Sequence, residues 1–426
     1  MKTSLKGLVG VLMVVTLLAC GGATFAKQKT ISFVYFGNVD EMPILQEMIK
    51  GFSNRHPEIN VKFIPVPATT WGEYFDKMAT MIAGGVTPDV VRVAIEGTQL
   101  FADKGLALPL DSYIERDKAE LQEFFDDVHP KLLEVFRYKG RVYEFVYEWN
   151  NMVIYYNTKL FEESGIKRPP DNWDKDMFLE IAQKLTVDKD GDGTPEQYGY
   201  ATANEYFWGA MPWIFNFGSS LLSDDWSKSN ANDPKFIAAI AWIQDLIWKY
   251  KVAPAPAVVD FFPFFATGKI AMCGWGRWPV CSFNNMNFFD YDIMYWPKVE
   301  TQVTEFGVGG FPIMRGTKYP EEAWKLIKYL TSKESMAYTT GKGISIPGRR
   351  SLAYDPEVMG EYPKHSRIFY DSLEQGKPVP SPPEYNEVQD IWLRYLSAMN
   401  ANEITPEEAA AGTHREISAV LARRGK

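Results

Sequence analysis

The amino-acid sequence predicts an α/β protein of two lobes, and three observations carry that reading. The chain has 426 residues, too many for one ordinary core, with 46% hydrophobic and 15% aromatic residues to fill more than one. From Thr30 onward, short β-rich runs alternate with stretches whose apolar residues recur at helical spacing. Beyond residue 19, no apolar run reaches the roughly 18 residues that a membrane-spanning helix needs.

At the N-terminus, Lys2 and Lys6 precede an apolar run over residues 7–19, the pattern of an export signal. The run ends in Leu17-Leu18-Ala19-Cys20-Gly21-Gly22, which resembles a bacterial lipobox, where Cys20 is lipidated and becomes the new N-terminus. Multiple acyl chains would hold the protein at a membrane surface, each buried methylene adding about 0.8 kcal/mol. Cleavage after Ala26, releasing a free protein, is the competing reading. Loss of residues 1–19 removes two lysines and no acids and takes the formal net charge from -9 to -11.

Residues 30–36 form the first expected strand. Ile44, Leu45, Met48, Ile49 and Phe52 give the apolar stripe of a helix, Pro57-Glu58 breaks it, and residues 59–64 return as a strand. Tyr74, Phe75, Met78, Met81 and Ile82 line a second helix that Gly84-Gly85 ends, with a third strand at 89–93. The parallel β-α-β pattern is expected to continue. Strands follow at 142–147 and 152–156, and helices near 174–185, 235–250, 320–330 and 386–399. Trp208 and Trp213 fall on one more helix, where one of them is expected in the core. Four prolines within 377–383 mark an extended connection.

The charge balance narrows the function. Against 54 acidic side chains stand 45 basic ones, with no long basic run to follow a phosphate backbone, so nucleic acid is not an expected partner. Three cysteines and four histidines, without C-x-x-C or H-E-x-x-H spacing, argue against zinc chemistry.

Several segments carry a resemblance. Gly84-Gly85 and Pro88-Asp89-Val90 precede a strand, and residues 105–111 read Gly-Leu-Ala-Leu-Pro-Leu-Asp. Tyr155-Tyr156-Asn157-Thr158-Lys159-Leu160-Phe161 follows a strand, and the stretch 265–272 leads to Gly276 and Trp278. Gly309-Gly310-Phe311 precedes the helix containing Glu322-Ala323-Trp324, and Pro347-Gly348-Arg349-Arg350 comes after it. In this order and spacing they resemble the family 1 extracellular solute-binding proteins of ABC importers, the maltose-binding-protein group, over roughly residues 30–400.

The resemblance implies a periplasmic-binding-protein-like fold of two discontinuous lobes joined by a hinge, with the solute in the cleft. The N-lobe would take residues 27–147 and 299–345, and the C-lobe 148–298 and 346–426. Closure on the solute would be the signal read by permease subunits of the importer. The protein is expected to be a monomer, exported to the periplasm or cell surface.

A pyranose offers apolar C–H faces and a rim of hydroxyls, which aromatic rings and planar charged or amide groups complement. Trp278 matches the family's stacking tryptophan two residues after a glycine, and Gly276 would let backbone approach the sugar. Trp275 and Arg277 flank it, the arginine fork suiting hydroxyls, carboxylate or phosphate alike. Glu148, Trp149 and Asn150 stand where the family crosses between lobes. Glu96 matches a family carboxylate, and Asn38 sits in a turn after the first strand. The aromatic commonly found near Val93 in the family is missing, and Trp71 is its candidate substitute, helix packing being the other reading. Trp213, Gly310, Phe311 and Arg349 complete the expected binding set.

Apart from the cleft, Asp188, Asp190, Asp192 and Glu196 occupy positions 1, 3, 5 and 9 of a calcium loop, with Thr194 at 7 and Gly193 at 6. Position 12 is Gly199 instead of glutamate, and an acidic surface turn is the competing reading. Cys273 and Cys281 could form a disulfide around Trp275 and Trp278 or act as two small buried apolar groups.

The expected function is capture of a carbohydrate, an oligosaccharide by the reading of the aromatics, for delivery to a permease. A glycerol phosphodiester, another small polar solute or an amine is the alternative within the class. A secreted glycosidase is the alternative outside it, although no G-x-S-x-G, P-loop or zinc signature is present. No cofactor is required, and a structural calcium is the one ion anticipated.

Overall fold

The computed structural model describes residues 28–37, 39–68, 70–201, 207–256 and 261–424. Cys20, Asn38 and the side chain of Trp208 lie outside the described residues.

The first sheet follows directly from the sequence. Strand β1 (Lys29–Tyr35) lies between β2 (Ile59–Pro65) and β3 (Val90–Val91), all parallel, with Phe33 opposite both Phe63 and Val90. The crossovers are the helices Met42–Arg55 and Trp71–Ala83. Leu45, Met48, Ile49 and Phe52 bury one face of the first, as their helical spacing requires. The second begins behind Thr70, whose hydroxyl accepts from the Glu73 amide. Strand β4 (Val93–Ala94) is separate from β3, because the chain turns at Arg92 and β4 pairs antiparallel with a strand much later in the chain.

After a small hairpin, β5 (Arg137–Tyr138) and β6 (Arg141–Val142), the parallel pattern ends. Strands β7 (Phe145–Asn151) and β8 (Val153–Asn157) are separated by Met152 alone, yet they belong to different sheets. Strand β8 is the centre of an antiparallel sheet with β9 (Met272–Trp275) and β10 (Tyr291–Met294) on its flanks. Strand β7 lies in a third sheet, antiparallel to β11 (Thr304–Phe311) and to β12 (Ile346–Pro347), with β13 (Gly376–Pro378) parallel on the far side of β11. The expectation of continued parallel pairing is thus corrected. The central strand of the second sheet comes earlier in the chain and runs opposite to both of its neighbours.

Alternation along the strands sorts their side chains into two apolar clusters. Ile31, Phe33 and Tyr35 of β1 join Val153 and Tyr155 of β8 in one, while Val34, Ile154 and Tyr156 join the other. Among the described residues no helix is long and apolar enough to cross a membrane.

Candidate functional site

Strands β7 and β11 run side by side and form the floor of a cavity of about 500 Å³. Glu148, Trp149, Asn150 and Asn151 of β7 all line the cavity, with the Trp149 ring packed on Phe306 and Tyr370. Along β11, Glu305, Gly307, Val308 and Gly309 line it. Gly310 and Phe311 do not. A Cβ on Gly310 would lie 2.8 Å from the Phe136 ring, and Phe311 is buried in the core. The contacts expected at 310–311 thus fall just past the end of the lining, beyond a register shift between Gly309 and Gly310. Gly309 is needed as glycine because a Cβ there would stand 3.0 Å from Glu148 Oε1.

One wall consists of Phe36, Trp71 and Arg92. Trp71 packs edge-on to Phe36 at 4.7 Å and stacks on Phe75 at 5.7 Å, leaving the indole half-buried at the cavity. The Arg92 guanidinium lies 4.7 Å from the Tyr35 ring centre and 5.1 Å from that of Trp71, and donates to the Phe36 carbonyl and to Glu148 Oε1. Glu96, in the first turn of the helix Ile95–Asp103, completes this side. Burial pushes its carboxyl up to about 7, against the opposing pull of its own backbone amide and Arg92. Glu305 is also held well above the usual carboxylate range, by burial first and by the charge of Glu96 second.

The lining also includes Trp278, Phe207, Phe261, Phe262, Tyr385 and Gln389, with Tyr385 beside Phe75 at 6.4 Å and Gln389 donating to Thr70 at 3.5 Å, next to Trp71. Trp278 is half-buried, and its six-membered ring lies over Gly276, where an added Cβ would sit 2.2 Å from Cζ3. Gly276 therefore makes room for the indole instead of bringing backbone to a solute, and it is not among the lining residues. Trp275 lines the cavity at its base, with its ring packed on Tyr155, Phe262 and Phe265.

Three more expected contacts lie elsewhere. Arg277 is buried and donates to the carbonyls of Thr340, Ser345 and Met359 at 2.9–3.0 Å, with its pKa lowered to about 10 by burial. It anchors the Trp278 loop from behind, and Asn150 Oδ1 holds the same loop by accepting from the Arg277 amide at 2.9 Å. Trp213 is a core residue, packed on Phe178, Trp242 and Trp296 with its Nε1 donating to Tyr200. Arg349 stacks on Phe124 at 5.1 Å and pairs with Glu123, away from the cavity.

The residues that sequence reasoning missed include Glu41, Glu305, Tyr385 and Gln389. Two of these had a signal. Glu305 is the one charge in a strand otherwise made of apolar, glycine and threonine residues, and Gln389 interrupts the apolar stripe of Tyr385, Val388 and Trp392. Tyr385 donates to Gln389 Oε1 at 3.1 Å one turn away.

In the Asp188 loop, one oxygen each of Asp188, Asp190 and Asp192 can be drawn within 4.8 Å of one another, all on exposed side chains. The loop also binds itself. Asp188 accepts from the amides of Gly191 and Gly193, Asp192 from that of Thr194, and Glu196 from that of Lys189. Gly199 cannot carry the missing twelfth-position carboxylate, because a Cβ there would lie 1.9 Å from the Ala182 carbonyl oxygen. Cys273 and Cys281 are both buried and are not joined as a disulfide.

The comparisons agree with this geometry. The model of the bacterial extracellular solute-binding protein family matches residues 37–337, more than half of the chain. A maltotriose-binding protein of Pyrococcus abyssi is 24% identical over 330 residues, 76% of this chain and 67% of that protein. An ABC substrate-binding protein from Listeria monocytogenes, solved in complex with cycloalternan, superposes with a TM-score of 0.82 at 24% identity, covering 93% of this chain and 99% of that one. A Mycobacterium tuberculosis protein solved with glycerophosphocholine superposes with a TM-score of 0.78 at 19% identity, covering 92% and 98%. The likeness to such two-lobe structures, together with a match over most of the sequence, makes this chain a member of the bacterial extracellular solute-binding proteins.

Proposed function

We propose that this exported protein captures a carbohydrate, an oligosaccharide in size, in the cavity over β7 and β11 and presents it to the permease of an ABC importer without altering it. The observation that carries the reading is one lining that holds two half-buried tryptophans, Trp71 and Trp278, together with buried carboxylates. Indole faces suit the C–H faces of a pyranose, and carboxylates accept from its hydroxyls. No histidine, cysteine, serine or lysine is among the described lining residues, so the Ser–His and Cys–His pairs of hydrolases have no counterpart among them. The saccharides named with two of the similar proteins support the same class.

A titration series of neutral mono- and oligosaccharides and glycerophosphocholine tests it. A neutral oligosaccharide is expected to bind, and Trp278→Ala to weaken it about tenfold or more, the equivalent of about 1.4 kcal/mol. Preference for glycerophosphocholine would overturn the carbohydrate reading, and release of shorter sugars on incubation would overturn the non-catalytic one.

The Asp188 loop is proposed as a calcium site that braces its own lobe, on the strength of the three clustered carboxylates. Calcium is expected to raise the melting temperature, an effect that Asp190→Ala removes, since an ion that binds only the folded state stabilises it by mass action. Equal melting in calcium and in EDTA would dispose of the site.

A further inference from the structure

The cavity is lined by more carboxyl groups than the basic groups around them could balance if all were ionised. Glu41, Glu96, Glu148 and Glu305 all line it, exposed by only 4%, 5%, 2% and 3%. Arg92 is the one basic side chain among the described lining residues, and its guanidinium already serves Glu148 and the Phe36 carbonyl. Glu96 and Glu305 are left facing each other's charge. Oε2 of each is buried without a hydrogen-bond partner, although both side chains line the cavity. The two belong to one corner of the floor. A Cβ on Gly307, two residues beyond Glu305 on the same face of β11, would lie 4.0 Å from Glu96 Oε1.

A hydroxyl can donate to such an oxygen but cannot neutralise a pair of buried carboxylates. An ammonium does both, since it carries three donors and a full positive charge into a site where unpaired charge is costly. The walls suit the same guest, because Trp71, Trp278 and Tyr385 surround the cavity and aromatic faces attract cations.

We propose that the solute bears a protonated amine, as an amino sugar does, seated at the carboxylates of Glu96 and Glu305. This rests on the carbohydrate reading above and adds the charge of the sugar to it. The groups facing the pair are Arg92, which favours ionised Glu96, Glu144, whose own buried carboxyl accepts from Thr98 at 2.7 Å, and Tyr385 on the helix packed beside that of Trp71. With its carboxyls held up by burial, the empty cavity retains protons that an entering cation displaces. Binding of the amine is therefore accompanied by proton release.

Calorimetric titration of the purified protein near pH 6, below the range where an amine loses its proton, tests this with saccharides matched in ring and linkage. Each set has a free amine, its N-acetyl amide and the plain hydroxyl sugar, as monosaccharide and as α- and β-linked disaccharide. Spermidine and glycerophosphocholine complete the panel. In at least one set the amine is expected to bind about tenfold or more tightly than its neutral partners. Its heat should vary with the ionisation enthalpy of the buffer as protons leave. The preference should disappear in Glu96→Gln and in Glu305→Gln, and the wild-type proton release stands as evidence even where a variant folds poorly. A neutral sugar that binds as tightly as its amine, or amine binding without proton release, overturns the proposal and leaves the carbohydrate reading intact. Binding of spermidine or glycerophosphocholine but no saccharide supports the cation seat and overturns the carbohydrate reading. If nothing in the panel binds, both fall.

Discussion

Arg92→Met is expected to destabilise the protein by about 3–5 kcal/mol, the cost of leaving one partner of a buried ion pair uncompensated. Arg92 sits where β3 gives way to β4, and its amide still donates to the Val34 carbonyl of β1 at 2.8 Å. From that fixed point the guanidinium bridges two parts of the cavity wall, the Phe36 carbonyl and the carboxylate of Glu148 on β7. Glu148 is 2% exposed, and Glu41 lies in the same lining. Methionine keeps much of the volume and the packing on Tyr35 and Trp71 but supplies no charge. Denaturant unfolding of Arg92→Met, Glu148→Gln and the double variant checks the mechanism. The double variant should be more stable than Arg92→Met alone, because the glutamine leaves no charge behind. An Arg92→Met protein that unfolds at the wild-type midpoint, or no rescue by Glu148→Gln, would show that the pair does not hold the wall.

That pair illustrates what the sequence could and could not reveal. Local patterns translated directly: the stripe Leu45, Met48, Ile49 and Phe52 became a helix with that face buried, because helical periodicity is a property of one segment. Pairing across the chain did not. Val153 of β8 meets Trp275 of β9 through a register that no local pattern specifies, and the antiparallel sheets went unforeseen for that reason. In the site, the resemblance located the crossing strands and the Trp278 loop within a residue or two. Binding geometry is finer than that. On a strand one residue separates Gly309, against Glu148, from Gly310, against Phe136. Next to Trp278, Arg277 turns away to three backbone carbonyls supplied by residues 63–82 positions further along. Side chains such as Arg277 and Trp213 have the right chemistry for a sugar, and only the tertiary partners that claim them show that they are spent on the fold.

Glu96 makes the stability of the ligand-free protein depend on pH in a direction opposite to that of most carboxylates. Its carboxyl is raised by burial from an ordinary value of 4.5 to about 7. Below the lower value it is protonated both folded and unfolded, and its contribution is fully present. Between the two, the unfolded chain ionises freely while the folded one holds its proton, so stability falls as pH rises and levels off above about 7. A shift of this size corresponds to about 3 kcal/mol, each unit being worth 1.36 kcal/mol. Glu305 and Glu144 are raised as well, chiefly by burial, and add to the loss with the same sign. Groups held low, such as Asp117 beside Arg116 and Lys328, act in the other direction at far more acid pH and leave this window alone. Unfolding free energies of the wild type measured at pH 5 and pH 8 should therefore decrease with pH, and Glu96→Gln should make that decrease shallower. The glutamine is neutral throughout and nearly the same shape, so the comparison isolates the charge from the packing. A wild-type protein that gains stability over this interval, or a Glu96→Gln protein with an unchanged slope, would mean that Glu96 is ionised and satisfied in the empty cavity. The floor would then hold a standing negative charge before any solute arrives, and proton release could not accompany the entry of a cation.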